Sequence, residues 1–323
     1  MNGEGRDDRG TALSRRAALA LIAAVAARAM PTAGWPAAPG AGVADAAPTM
    51  LARPIPSTGE RLPAVGLGTW RTFDVGAGAS AREPLREVLR RFVALGGRVV
   101  DSSPMYGAAE TVVGDLAAEL GLQKSLFVAT KVWTRGRDAG VSQMERSLHS
   151  LRLGRLDLMQ IHNLLDWRTH LRTLRQWKDA GRIRYLGVTH YVASAHDDLE
   201  RVILGEPLDF VQLNYSLAER EAERRLLPLA GDRGVAVLVN RPYAEGALFR
   251  RVRGRPLPPW AADLGCTSWG QLFLKWILGH PAVTCAIPAT SKPDHLADNM
   301  AAGTGPLPDP TTHTRIAAHL DTL

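Results

Sequence analysis

The chain has 323 residues, 46% hydrophobic and 22% charged, with a formal charge of +7. Those proportions exclude a disordered, collagenous or coiled-coil protein. The length suits two ordinary domains or one α/β barrel of roughly 250 residues. The mild positive excess reads as a solvated surface or as attraction for a phosphorylated ligand. Its one basic run is Arg250, Arg251, Arg253 and Arg255. No basic helix or aromatic-interleaved strand suggests a nucleic-acid partner. Residues 1–46 differ from the rest. Ser14-Arg15-Arg16 precedes an apolar run from Ala17 to Ala27, then a Pro/Ala/Gly-rich stretch containing Ala44-Asp45-Ala46. A twin arginine, a weakly apolar stretch and a small-residue cleavage triplet predict a twin-arginine export signal. The expected location is the periplasm, and membrane contact is expected only through this segment if it stays uncleaved. A disordered extension or an anchor on a cytoplasmic protein is the alternative.

Residues 47–323 are expected to form one domain. Pro54–Pro63 reads as a hairpin around Ser57-Thr58-Gly59-Glu60. Eight short apolar runs follow: Ala64–Gly68, Arg98–Asp101, Leu126–Lys131, Leu156–His162, Ile183–Thr189, Asp209–Asn214, Val235–Asn240 and Val283–Pro288. They are continuous rather than alternating, as strands of a covered parallel sheet are. Helical stretches separate them. Pro84 is placed as a first-turn proline ahead of Leu85, Val88, Leu89 and Phe92. Further helices are expected at Ser142–Leu151, Trp167–Ala180, Glu219–Ala230 and Ser268–Leu278. Pro242–Thr267 reads as a long functional loop. Eight β-then-α units in series predict a closed (β/α)8, or TIM, barrel. Cys266 and Cys285 read as buried thiols, with pairing left open.

Asp101, Tyr106, Lys131 and His162 stand at or just past the ends of the second, third and fourth runs. Ends of neighbouring strands meet at one barrel mouth, where barrel enzymes carry their sites. A lysine closing an apolar strand needs a buried partner, and Asp101 is the nearest acid on the neighbouring strand. No metal-ligand spacing or nucleophile motif appears.

With Val65-Gly66-Leu67-Gly68-Thr69-Trp70, Asp101-Ser102-Ser103-Pro104-Met105-Tyr106-Gly107, Val128-Ala129-Thr130-Lys131, Leu158-Met159-Gln160-Ile161-His162, and Ile287-Pro288 with Asn299, the chain resembles the aldo/keto reductase superfamily from Pro54 to about Leu307. The resemblance implies hydride transfer between a nicotinamide cofactor and a small carbonyl or alcohol. It assigns Asp101, Tyr106, Lys131 and His162 as the catalytic tetrad. A tyrosine of ordinary pKa, about 10, is a poor proton exchanger at neutral pH, and an adjacent ammonium is expected to lower it. His162 would hydrogen-bond the substrate oxygen.

By the same resemblance Gln212, Thr189 and His190 would reach the nicotinamide carboxamide and Arg241 the pyrophosphate, and Thr69 and Trp70 would also bind the cofactor. Ser291, Lys292, His295 and Asn299 would surround the adenosine end. A cation and hydroxyls at a helix start suit a 2′-phosphate, so NADP(H) is favoured over NAD(H). Three positions depart from the family pattern. His190 replaces an asparagine, His295 an arginine, and Asn240 the aromatic that stacks on nicotinamide, for which Tyr215 or Tyr243 could substitute. Trp70, Met105, Trp133 and Trp167 are expected to wall an apolar substrate pocket. A second reading keeps the cofactor but makes the barrel a redox sensor or docking module with little turnover.

Overall fold

The computed structural model describes residues 49–323, so the expected export signal lies outside the described residues. Strand β1 (Ala52–Pro54) pairs antiparallel with β2 (Arg61–Pro63), forming the expected hairpin. Eight strands follow: β3 (Leu67–Gly68), β4 (Val99–Asp101), β5 (Phe127–Val132), β6 (Leu156–His162), β7 (Ile183–Thr189), β8 (Phe210–Asn214), β9 (Ala236–Asn240) and β10 (Val283–Ala286). Each is parallel to the next in chain order. The sheet closes where the Gly66 N–H donates to the Ala286 carbonyl at 2.8 Å and Gly68 N–H to Pro288 at 3.0 Å. Glycine is required at this seam. A Cβ on Gly66 would lie 2.9 Å from the Val99 carbonyl oxygen, and one on Gly68 2.8 Å from that of Ile287.

The helices are α1 (Ala79–Ala94), α2 (Ala109–Glu119), α3 (Arg137–Ser150), α4 (Trp167–Asp179), α5 (His196–Gly205), α6 (Leu226–Asp232), α7 (Ala247–Arg251), α8 (Trp269–Gly279), α9 (Pro293–Ala301) and α10 (Pro310–Asp321). The expected apolar face of α1 is buried through Leu85, Val88, Leu89 and Phe92. Pro84, however, lies inside α1 rather than in its first turn, on an exposed edge. There water can serve the carbonyl left without the proline's missing N–H. Ser268 caps α8, its Oγ accepting the Gln271 N–H at 3.0 Å, a contact worth about 1 kcal/mol. Pro242–Thr267 is not a structureless loop: it carries α7 and two 3₁₀ turns, Ala244–Gly246 and Pro259–Leu264. Glu219–Ala230 divides into a 3₁₀ turn, Glu221–Arg224, and α6. No helix among the described residues is long and apolar enough to cross a membrane. Cys266 and Cys285 are both buried free thiols, so they do not pair.

Two hydrophobic layers explain the strand sequences. Outward-facing residues such as Val128, Met159, Val188, Val211 and Val239 pack beneath the helices. Inward-facing residues form a second cluster that includes Phe127, Ala129, Leu158, Tyr185, Phe210 and Leu238, which Ile55 and Leu62 of the hairpin join from below. The period-two alternation is therefore present. Both faces are apolar over the lower barrel, and this made the strands read as continuous runs.

Candidate active site

Following the inward-facing positions up each strand changes their chemistry. On β5 the series is Phe127, Ala129, Lys131; on β6, Leu158, Gln160, His162; on β8, Phe210, Gln212, Asn214. The apolar layers end and a polar layer begins at the carboxyl rim. There the Lys131 ammonium donates to Asp101 Oδ2 at 2.6 Å and to the Ser102 carbonyl at 2.7 Å. Asp101 Oδ1 accepts from Gln212 Nε2 at 2.8 Å and Gln160 Nε2 at 3.1 Å. Lys131 is 0% exposed and Asp101 3%. A buried ion pair is tolerated when further hydrogen bonds satisfy both members, as they do here. Burial works to lower the Lys131 pKa, but the Asp101 carboxylate and the Tyr106 phenol outweigh it, and the net direction is upward. Lys131 therefore remains an ammonium.

Tyr106 stands on the turn between β4 and α2, where its N–H donates to the Ser103 carbonyl at 3.0 Å. Its ring centroid lies 5.1 Å from Lys131 Nζ and 6.0 Å from the His162 ring, which it meets edge-on. The expected lowering of its pKa is not the net result. Burial raises it most; the charge and hydrogen bond of Lys131 pull the other way, and Asp101 adds to the rise. The phenol therefore titrates above its ordinary value of 10.0, because desolvating a phenolate outweighs one ammonium that is itself paired. His162 is pushed down to about 3, first by burial and then by the charges of Lys131 and His190. It is a neutral imidazole near pH 7. Its Nδ1 lies 3.1 Å from Ser103 Oγ. Ser103 and Gln160 were given no role from the sequence. Gln160 had a signal, since it lies two residues before His162 and so shares its face.

Above this cluster opens a cavity of about 690 Å³. Tyr106, His162 and Asp101 lie on its wall with Thr69, Trp70, Thr189, Gln212 and Arg241. Trp70, Met105 and Trp133 line it as expected, but Trp167 does not. It packs on the hydrophobic core, with the Arg168 guanidinium 4.2 Å above its ring. Exposed Tyr191 and Phe249 complete the apolar rim. Of the two alternative stacking aromatics, Tyr243 lines the cavity, with its hydroxyl donating to Asn299 Oδ1 at 2.5 Å. Tyr215 is buried away from the cavity against Trp276, with ring centroids 4.8 Å apart.

The remaining cofactor residues divide. Thr189 Oγ1 donates to Gln212 Oε1 at 3.2 Å, and Asn240 Nδ2 donates to the His190 carbonyl at 3.1 Å. His190 sits beside the cavity rather than on it, its Nδ1 accepting the Tyr191 N–H at 3.0 Å. Ser291, Lys292 and His295 lie at the start of α9, outside the cavity lining, with Lys292 and His295 exposed. Arg241 is already neutralised, 3.0 Å from Glu219 and 3.6 Å from Glu245. Arg71, which the sequence did not single out, lines the cavity mouth 4.1 Å over the Trp70 ring, and no carboxylate among the described residues pairs with it. Among the described residues, six buried side-chain polar atoms lack a partner. Thr72 Oγ1, Asn163 Oδ1, Asn240 Oδ1 and Arg241 Nε, four of them, belong to residues on this wall. Buried polar atoms are nearly always bonded, so the cavity suits a polar ligand with both donors and acceptors, as a nicotinamide nucleotide has.

The aldo/keto reductase family model matches residues 64–320. The chain is 30% identical over 247 residues to methylglyoxal reductase YeaE of Escherichia coli, covering 74% of this chain and 85% of that one. It superposes on an aldo/keto reductase from Klebsiella pneumoniae, solved with NADP and acetate, with a TM-score of 0.67 and 25% identity over 81% of this chain and 93% of that one. The thermostable aldo-keto reductase Tm1743, solved with the inhibitor epalrestat, gives a TM-score of 0.69 and 27% identity, covering 84% and 99%. With the family model spanning almost all of the barrel, this chain belongs to the aldo/keto reductase family.

Proposed function

We propose that the chain reduces a small aldehyde or ketone to an alcohol with NADP(H), and that Tyr106 delivers the proton. The observation that carries this reading is the buried Asp101–Lys131 pair placed behind a phenol that, with His162, lines one cavity wall. A bound nicotinamide would supply the hydride. The chain's own residues handle the rest. A carbonyl carbon that gains hydride leaves negative charge on its oxygen, and a proton must reach that oxygen. The raised pKa keeps the Tyr106 phenol protonated at neutral pH, which is the state a donor needs. Lys131 attracts the phenolate left behind, and Asp101 with Gln160 and Gln212 keeps that ammonium in place. Alcohol oxidation requires the phenolate at the outset, so it is the slower direction near neutrality and gains as pH rises toward the phenol's pKa.

Arg71 at the mouth would meet the phosphates, Arg241 being held by Glu219 and Glu245, and Ser291, Lys292 and His295 would meet a 2′-phosphate at the start of α9. Thr69, Trp70, Thr189, Gln212 and Asn299 complete the cofactor contacts, with His190 behind them. The NADP-bound relative supports this cofactor. Trp70, Met105, Trp133 and Phe249 favour a carbonyl with an apolar body. The relative's name makes methylglyoxal the first small probe. Residues 1–46 support export of the folded protein, which N-terminal sequencing of secreted material would test. The activity is tested by following NADPH absorbance with methylglyoxal and a panel of aromatic aldehydes. Consumption supports catalysis. Tight NADPH binding without consumption by any carbonyl would favour the redox-sensor reading instead.

A further inference from the structure

Ser103 is fully buried on the turn that carries Tyr106. Its hydroxyl oxygen accepts the Met105 N–H at 3.4 Å and lies 3.1 Å from His162 Nδ1. Among the described residues this hydroxyl makes no other hydrogen bond. A buried hydroxyl proton without an acceptor is costly, and Nδ1 can receive it only if that nitrogen carries no proton. The other ring nitrogen, Nε2, makes no hydrogen bond among the described residues, and His162 lines the cavity.

We infer that Ser103 is a positioning residue that locks His162 in the tautomer protonated on Nε2, so that the imidazole offers the cavity a donor and never an acceptor. The opposite tautomer would strand the Ser103 proton and turn a lone pair toward the substrate oxygen. Burial and the Lys131 charge, by keeping the ring neutral, make the tautomer matter. A charged ring would donate from both nitrogens whatever Ser103 did. With Tyr106 as the second donor, the site becomes selective for oxygens that accept two hydrogen bonds. The assignment rests on the carbonyl-reductase reading for its consequence, but not for its measurement.

The test is ¹⁵N NMR of the histidine rings in the full chain, without cofactor and with NADPH, between about pH 6 and 8. The His162 signals are identified by their loss in His162→Gln. Wild type is expected to show a protonated Nε2 and a bare Nδ1. Ser103→Ala is expected to give mixed tautomers and to lower kcat roughly fivefold, the worth of one neutral hydrogen bond, with the Kd for NADPH unchanged. Ser103→Thr, which keeps the hydroxyl, should restore both. A wild-type proton on Nδ1, or a single unchanged tautomer in Ser103→Ala, overturns the assignment. The wild-type spectrum decides the tautomer even if a variant misfolds. It does so whether or not any carbonyl is turned over, so failure here is distinct from failure of the proposed reaction.

Discussion

The two ends of the barrel are built to different rules. At the floor, polar groups satisfy one another. Glu60 accepts from the Tyr185 hydroxyl at 2.7 Å and from Arg184, Tyr185 also meets Thr58 at 2.9 Å, and Arg184 reaches Asp157 at 2.8 Å. At the mouth, four buried polar atoms lack partners and aromatic rings stand exposed. Among the described residues eight non-glycine residues have positive φ, and seven of them, Arg71, Asn163, Leu164, Asp166, Arg241, Ala244 and Glu245, follow the carboxyl ends of β3, β6 and β9. The left-handed region costs such residues about 1–2 kcal/mol each. Strain and unmet hydrogen bonds gathered at one end of a well-packed fold mark where stability has yielded to ligand binding.

Substitutions at the two ends should separate accordingly. The largest effect is expected where the two demands coincide. Lys131→Met should lower reduction by at least about 100-fold and, by leaving Asp101 buried without its cation, cost about 3–5 kcal/mol in urea unfolding. Adding Asp101→Asn should return much of the stability and none of the rate; recovery of the rate would break the assignment of Lys131. At the floor, Phe210→Ala should also cost about 3–5 kcal/mol. There kcat per folded molecule should be unaltered, and a lost rate would mean the ends are not separable.

The pH dependence sharpens the contrast. His162 binds its proton at about 3 in the folded chain against an ordinary 6.5. Between those values the unfolded chain holds more protons, so stability falls as pH falls through that window, by at most about 1.4 kcal/mol per pH unit from this group. His162→Gln should flatten the slope, which unfolding curves at a series of pH values would show; an unchanged slope removes His162 as its source. The smallest expected effect is at Arg71→Ala. NADPH affinity, read by cofactor fluorescence, should weaken about tenfold as a charge-assisted contact is lost, with stability within about 0.5 kcal/mol of wild type. Unchanged affinity would place the phosphates elsewhere.

Strand order, the hairpin and the meeting of Asp101, Tyr106, Lys131 and His162 were legible because they follow from chain order and one periodic pattern. The rest depended on quantities a sequence does not carry. The net direction of the Tyr106 pKa turns on how deeply the ring is buried. Arg241 looked available until the fold brought Glu219 to it, 22 residues away in sequence. Trp167 resembled the other rim tryptophans, yet the first turn of α4 carries it onto the core. The five residues of α7 are too few to show a periodicity.

The central claim is that the Tyr106 hydroxyl provides the proton. It is tested most directly by single-turnover reduction of methylglyoxal, or of the best aldehyde from the panel, with NADPH bound to wild type and to Tyr106→Phe. Removing one hydroxyl should leave NADPH fluorescence titration unchanged and slow absorbance loss by about 100-fold or more. A Tyr106→Phe protein that consumes NADPH at the wild-type rate would contradict the account.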